Sequence, residues 1–293
     1  MKRRIAWILL GIMMMGTAAC SASAETVAAA PKAQTGTAAV GDMQMDYAVF
    51  GTGSRTLVIL PGLAIHSVMS AADAVASAYQ EFTGEYTVYV FERASRISDG
   101  YSVRDMARDT ALAMQSLGIE KADIFGASMG GMIAQYMAID YPQMVSKLIL
   151  GSTQSRANAA AAQVLEGWIA LAEKRDEQAL LASFADSVYS QATLAVYREM
   201  LITSNAGITE DEYNRFIILA NACRQFDCYE ELSKIQCPVL VLGSEGDRVL
   251  TADASREIAE ALNCEIYIYP DTYGHAVYDE AADYKDRMLT FLN

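Results

Sequence analysis

Histidine is the scarcest chemistry-bearing residue here: His66 and His275 are the only two in 293 residues. No cluster of histidine and cysteine has the spacing of a zinc site, so a structural or catalytic zinc has nothing to hold it. There is no phosphate-cradling P-loop and no internal repeat at a useful period, which removes P-loop nucleotide chemistry and solenoid architecture. Basic residues are also short. The 22 Lys and Arg stand against 36 Asp and Glu, a formal charge of −14 with a pI near 4.6. An acidic surface is a poor match for a phosphate backbone, so nucleic acid is not an expected partner. The acids are spread along the chain and read as a solvated surface.

What is present begins with Met1-Lys2-Arg3-Arg4, a basic start followed by an apolar run over residues 5–16. That run is too short to span a bilayer, and small residues follow it. Residues 1–24 therefore read as a secretory signal, excluded from fold reasoning. Two processing routes fit. Thr17-Ala18-Ala19-Cys20 resembles a bacterial lipobox, with Cys20 lipidated, although Thr17 stands where leucine is usual. Ala22-Ser23-Ala24 offers ordinary cleavage after Ala24. The lipoprotein reading is favoured, because a cysteine directly after such a run is otherwise unusual. It implies an extracytoplasmic protein anchored to the cell membrane through its lipid; the other route implies a secreted one. Losing Lys2, Arg3 and Arg4 would move the charge from −14 to −17. Residues 25–42, rich in Ala and Thr, read as a flexible tether.

From Met43 onward strands alternate with helices. Met43-Gln44-Met45-Asp46-Tyr47 alternates apolar and polar, as a half-buried edge strand would. The continuous apolar run 57–60 suits a buried parallel strand, and 86–91, 145–150 and 238–243 also read as strands. Ser102 is placed to cap a helix whose Val103, Met106, Thr110, Met114 and Leu117 share one face. The rhythm predicts an α/β fold, a mostly parallel sheet with helices on both faces over residues 43–293. It breaks between about 154 and 232, where the pattern is helical only. An inserted cap above the sheet edge fits that span, with an ordinary helical subdomain as the alternative.

One stretch carries chemistry. Gly126-Ala127-Ser128-Met129-Gly130 fits G-x-S-x-G between a strand and a helix, the setting of a nucleophile elbow. Ligands of such sheets bind beyond the strands' carboxyl ends, where Ser128 would stand. Asp247 and His275 each follow a strand's carboxyl end, and the order Ser128, Asp247, His275 is that of a hydrolase triad on this kind of sheet. Asp247 would orient His275, which would take the Ser128 proton. Glu245 is a rival acid, and His66 reads as structural or pocket-lining.

These motifs, with Pro61-Gly62-Leu63 and Gly274-His275, resemble the α/β-hydrolase superfamily, in the branch with a helical cap between the sixth and seventh strands. The resemblance implies an oxyanion hole from the backbone N–H of Leu63 and of Met129, and no cofactor or metal. It implies a serine hydrolase acting through an acyl-enzyme, most simply a carboxylic-ester hydrolase on small or medium acyl substrates. C–C bond, lactone or aminopeptidase-type hydrolysis uses the same triad, and the last would need an acid in the cap, such as Glu166, Glu173, Asp176, Glu177 or Asp186. A binding lipoprotein that kept the fold without turnover is the reading from another class. Two departures stand out. Pro61 replaces the usual histidine before Gly62, and Glu92-Arg93-Ala94-Ser95-Arg96-Ile97-Ser98 lacks the glycines usual there. An exported chain permits disulfides among Cys223, Cys228, Cys237 and Cys264, with Cys237–Cys264 and Cys223–Cys228 as candidate pairs and buried free thiols as the alternative.

Overall fold

The computed structural model describes residues 31–293; the expected signal segment and Cys20 lie outside them. Eight strands form one sheet in the order β1-β2-β4-β3-β5-β6-β7-β8. In chain order they are β1 (Gln34–Val40), β2 (Met43–Phe50), β3 (Arg55–Leu60), β4 (Tyr86–Ala94), β5 (Ala122–Ala127), β6 (Val145–Gly151), β7 (Val239–Ser244) and β8 (Glu265–Tyr269). β2 pairs antiparallel with β1 and with β4, and the pairs from β4 across to β8 are parallel.

The apolar strand runs are continuous because both faces are covered. Alternate side chains go to opposite cores, as a period of two dictates. Val58, Leu60, Ile124, Leu148 and Val241 pack under α2 (Val103–Ser116), α3 (Met129–Asp140) and α8 (Ala252–Leu262). Leu57, Ile59, Phe125, Ile149 and Leu242 pack under α1 (Ala72–Ala78), α9 (Val277–Glu280) and α10 (Tyr284–Leu292). The cap comprises α4 (Ala159–Glu173), α5 (Glu177–Val188), α6 (Gln191–Ser204) and α7 (Glu210–Arg224), all between β6 and β7. Trp168 and Phe184 anchor it, their ring centroids 4.7 Å apart. Among the described residues no helix is long and apolar enough to cross a membrane.

The sheet starts earlier than the sequence suggests. Residues 34–40, expected as tether, form β1, in register with β2 from Gln34 opposite Val49 to Val40 opposite Met43. Small Ala and Thr side chains carry little periodicity, yet Ala38 and Val40 are buried in the same core as Val103 and Met106 of α2. β2 is therefore an interior strand, and β1 takes the edge. The candidate disulfides are also absent: all four described cysteines are free thiols. Cys223 lies on the buried face of α7, while the Cys228 thiol donates to Oε1 of Gln135 at 3.4 Å.

Candidate active site

β5 runs into α3 through Ser128, whose backbone sits at φ 54°, ψ −121°, a region that favours glycine. Neighbours hold it there. Ser128 N–H donates to Gly151 O at 2.8 Å, and Thr153 Oγ1 donates to Ser128 O at 2.8 Å. So sharp a turn presses strand against helix. A Cβ on Gly126 would fall 2.3 Å from Gly130 O, and one on Gly130 only 1.8 Å from Leu60 O. The glycines of the motif are thus demanded by the approach of β3, β5 and α3.

His275 stands on the loop after β8, with Asp247 on the loop after β7. His275 Nδ1 lies 2.9 Å from Asp247 Oδ2, and both side chains are buried. The other oxygen, Oδ1, accepts from the N–H of Val249 at 2.8 Å and of Leu250 at 2.9 Å. Burial pushes the Asp247 carboxyl up, but His275 and these two N–H groups outweigh it and hold the carboxyl below the usual carboxylate range. The rival Glu245 is exposed and ion-pairs with Arg256 instead.

Ser128 and His275 open into one narrow cavity of about 30 Å³, walled by Gly62, Leu63, Trp168 and Phe184 among others. A Cβ placed on Gly62 would lie 3.7 Å from Ser128 Oγ, so the loop after β3 passes directly over the hydroxyl. Among the described residues the N–H groups of Leu63 and Met129 donate to no other group of the chain. Cys223 also faces the cavity, and burial pushes its thiol up to about 12, which makes it a poor nucleophile. His66 does not line this cavity. It joins the loop after β3 to the cap, accounting for the structural half of its expectation.

Two supporting residues were not anticipated. Glu280 is a buried carboxylate on α9 that accepts from Gly274 N–H at 2.7 Å and from Ser190 N–H at 2.8 Å. The residue before His275 is thereby tied to the cap, and Ala276 N–H, on its other side, donates to Val188 O at 3.0 Å. Arg93, in the glycine-poor segment that begins at the carboxyl end of β4, is buried with its guanidinium donating to Pro61 O and to Phe91 O. That segment, whose path the sequence leaves open, buttresses the Pro61-Gly62-Leu63 turn. Only the lone glutamate near His275 gave any signal, and acids on helices are too common to single it out.

The family model for the alpha/beta hydrolase fold matches residues 56–282. The chain belongs to this family. RutD of Variovorax paradoxus (strain S110), provisionally named a carbamate hydrolase, is 26% identical over 200 residues, 66% of this chain and 74% of that protein. Among solved structures, the enol-lactonase of Burkholderia xenovorans LB400 superposes with a TM-score of 0.76 at 19% identity, covering 88% of this chain and 99% of that one. An esterase of Exiguobacterium antarcticum gives 0.73 at 18% identity, covering 87% and 98%. As in any hydrolase of this fold, the sheet's carboxyl edge is where the loops converge, and here it gathers Ser128, Asp247 and His275.

Proposed function

We propose that the chain is a serine hydrolase of small aliphatic carboxylic esters, working through an acyl-enzyme. The observation that carries this reading is the strained Ser128 sharing a cavity with a buried His275–Asp247 pair. Ser128 Oγ attacks the ester carbonyl as His275 Nε2 takes its proton, with Asp247 holding the ring and stabilising its cation. The free N–H groups of Leu63 and Met129 receive the oxyanion, each such donor being worth about 10²–10³ in rate. Collapse releases the alcohol, which takes the proton from His275. Water then attacks the acyl-enzyme through the same base.

Cavity size favours small groups at the reacting carbon. An adjoining apolar chamber of about 110 Å³, which shares Gly62, Leu63 and Tyr278 with the catalytic cavity, offers room for a hydrocarbon arm. A lactone is a cyclic ester and suits the same machinery, which agrees with the enol-lactonase likeness. Aminopeptidase chemistry is less well supported. None of Glu166, Glu173, Asp176, Glu177 and Asp186 lines the cavity, and Glu166 and Asp186 are engaged with Arg224 and Arg198. Lipidation at Cys20, with anchoring outside the cytoplasm, completes the proposal, and intact mass of membrane-extracted protein tests it. The chemistry is tested with a fluorophosphonate probe: wild type labels and Ser128→Ala does not. Absence of labelling at neutral pH overturns the reading. Short p-nitrophenyl esters are expected to turn over faster than long ones or aminoacyl amides.

A further inference from the structure

His66 stands three residues beyond Leu63 on the loop between β3 and α1, with its side chain 10% exposed. Nδ1 lies 2.7 Å from Oε1 of Glu212 in the first turn of α7. Nε2 lies 2.8 Å from the backbone carbonyl of Asn205, at the end of α6. A carbonyl oxygen only accepts, and so does an ionised carboxylate. Neutral imidazole has one N–H to give, so satisfying both partners takes the doubly protonated ring. A neutral ring beside a protonated Glu212 is the other way to count the protons, and the surroundings of Glu212 oppose it. Its second oxygen, Oε2, already accepts from Thr209 N–H at 2.8 Å and from Thr209 Oγ1 at 2.7 Å. Burial pushes the Glu212 carboxyl up, but the bonds from His66 and Thr209 outweigh this and hold it below the usual carboxylate range.

Two other carboxylates on the elements meeting here are occupied. Glu92, on β4, accepts from Val68 N–H at 3.0 Å and pairs with Arg215 of α7 at 3.6 Å. Glu177 of α5 accepts from the N–H groups of Gly207 and Ile208, at 3.1 and 2.9 Å. Glu212 is therefore the carboxylate that the ring meets. Its pairing spans 146 positions of sequence and joins two bodies, the loop over Ser128 and the corner where α6 gives way to α7.

We propose that His66, as an imidazolium, is a positioning residue: it fastens the loop carrying the Leu63 N–H to the α6–α7 corner of the cap, so that oxyanion donor and cap are set by one titratable tie. The catalytic half of this statement rests on the hydrolase reading, whereas the ring's protonation does not. Losing a proton costs the ring one of its two bonds, and the loop or the cap is released. The effect runs opposite to that of His275, which must be neutral to act as a base.

With two histidines in the chain, ring ¹H–¹⁵N NMR is uncrowded, and His66→Gln assigns the signals. At neutral pH both ring nitrogens of His66 are expected to carry protons; a single protonated nitrogen overturns the proposal. For a short p-nitrophenyl ester, His66→Gln is expected to lower kcat/KM about tenfold at neutral pH, the loss of one charge-assisted bond. Raising the pH until the NMR signals show only one protonated ring nitrogen is expected to close that gap toward onefold. A gap of equal size at both pH values overturns the proposal. Glu212→Gln, which leaves the loop after β3 untouched, is expected to reproduce the same converging loss. Failure of Ser128 to label with the fluorophosphonate probe sinks the hydrolase reading alone, while the ring protonation still decides the tie.

Discussion

Asp247 shows how much one carboxylate is asked to do at this site. It accepts from His275 with one oxygen and from two backbone N–H groups with the other, and its side chain is buried. Asp247→Asn keeps the shape but presents an amide to Nδ1, which favours the wrong tautomer of His275. A fall in kcat of about 10³–10⁴ is expected, read by steady-state hydrolysis. Stability follows the depressed carboxyl. A group whose folded value is lowered stabilises the protein above its unfolded value, and that contribution disappears as pH falls through the folded one. Wild type is therefore expected to exceed Asp247→Asn by about 1–2 kcal/mol in urea unfolding near neutrality. The difference should shrink only below the ordinary carboxylate range, near pH 4. A gap that instead closes between pH 7 and 5 contradicts this account.

Elements differ in how much of them the sequence discloses. β2 starts at Met43, where its alternation was expected to begin, and the capping box of Ser102 and Asp105 starts α2 where Ser102 was expected to cap it. Those features rest on short-range rules, alternation and capping, which neighbouring residues carry. β1 was misread as tether because Gln-Thr-Gly-Thr-Ala-Ala-Val lacks large apolar residues; its burial comes from β2 and α2, which no local pattern reports. Glu280, Arg93 and the partner of His66 were beyond reach for the same reason, since each has a defining contact that crosses 32 to 146 positions. The cap was legible as helical, but its cavity-facing residues were not. Trp168 is the clearest of these, its ring tilted against Phe184 and lining the same cavity as Ser128. Trp168→Ala is expected to cost about 3–5 kcal/mol in thermal or urea unfolding. It is also expected to shift the acyl-chain optimum of p-nitrophenyl esters toward bulkier groups; an unchanged optimum argues that the acyl group lies elsewhere.

At the scale of the whole molecule, charge governs encounter more than chemistry. A formal charge of −14 repels anionic substrates and draws cationic ones, within a Debye length of about 8 Å at physiological ionic strength. Raising the salt from about 0.01 to 0.15 M shortens that range several-fold. It is expected to raise kcat/KM for an ester bearing a carboxylate and leave a neutral ester of equal size nearly unaffected. Equal salt responses would place the charge away from the approach route. The fold meanwhile keeps Ser128 in a backbone region that glycine occupies freely and serine does not. Replacement by glycine should relieve about 1–3 kcal/mol of local cost, so Ser128→Gly is expected to melt higher than wild type while losing all hydrolysis. Selection for stability alone would therefore have erased the hydroxyl. A hydroxyl held at that cost is what the hydrolase reading requires of a nucleophile lifted clear of the sheet edge.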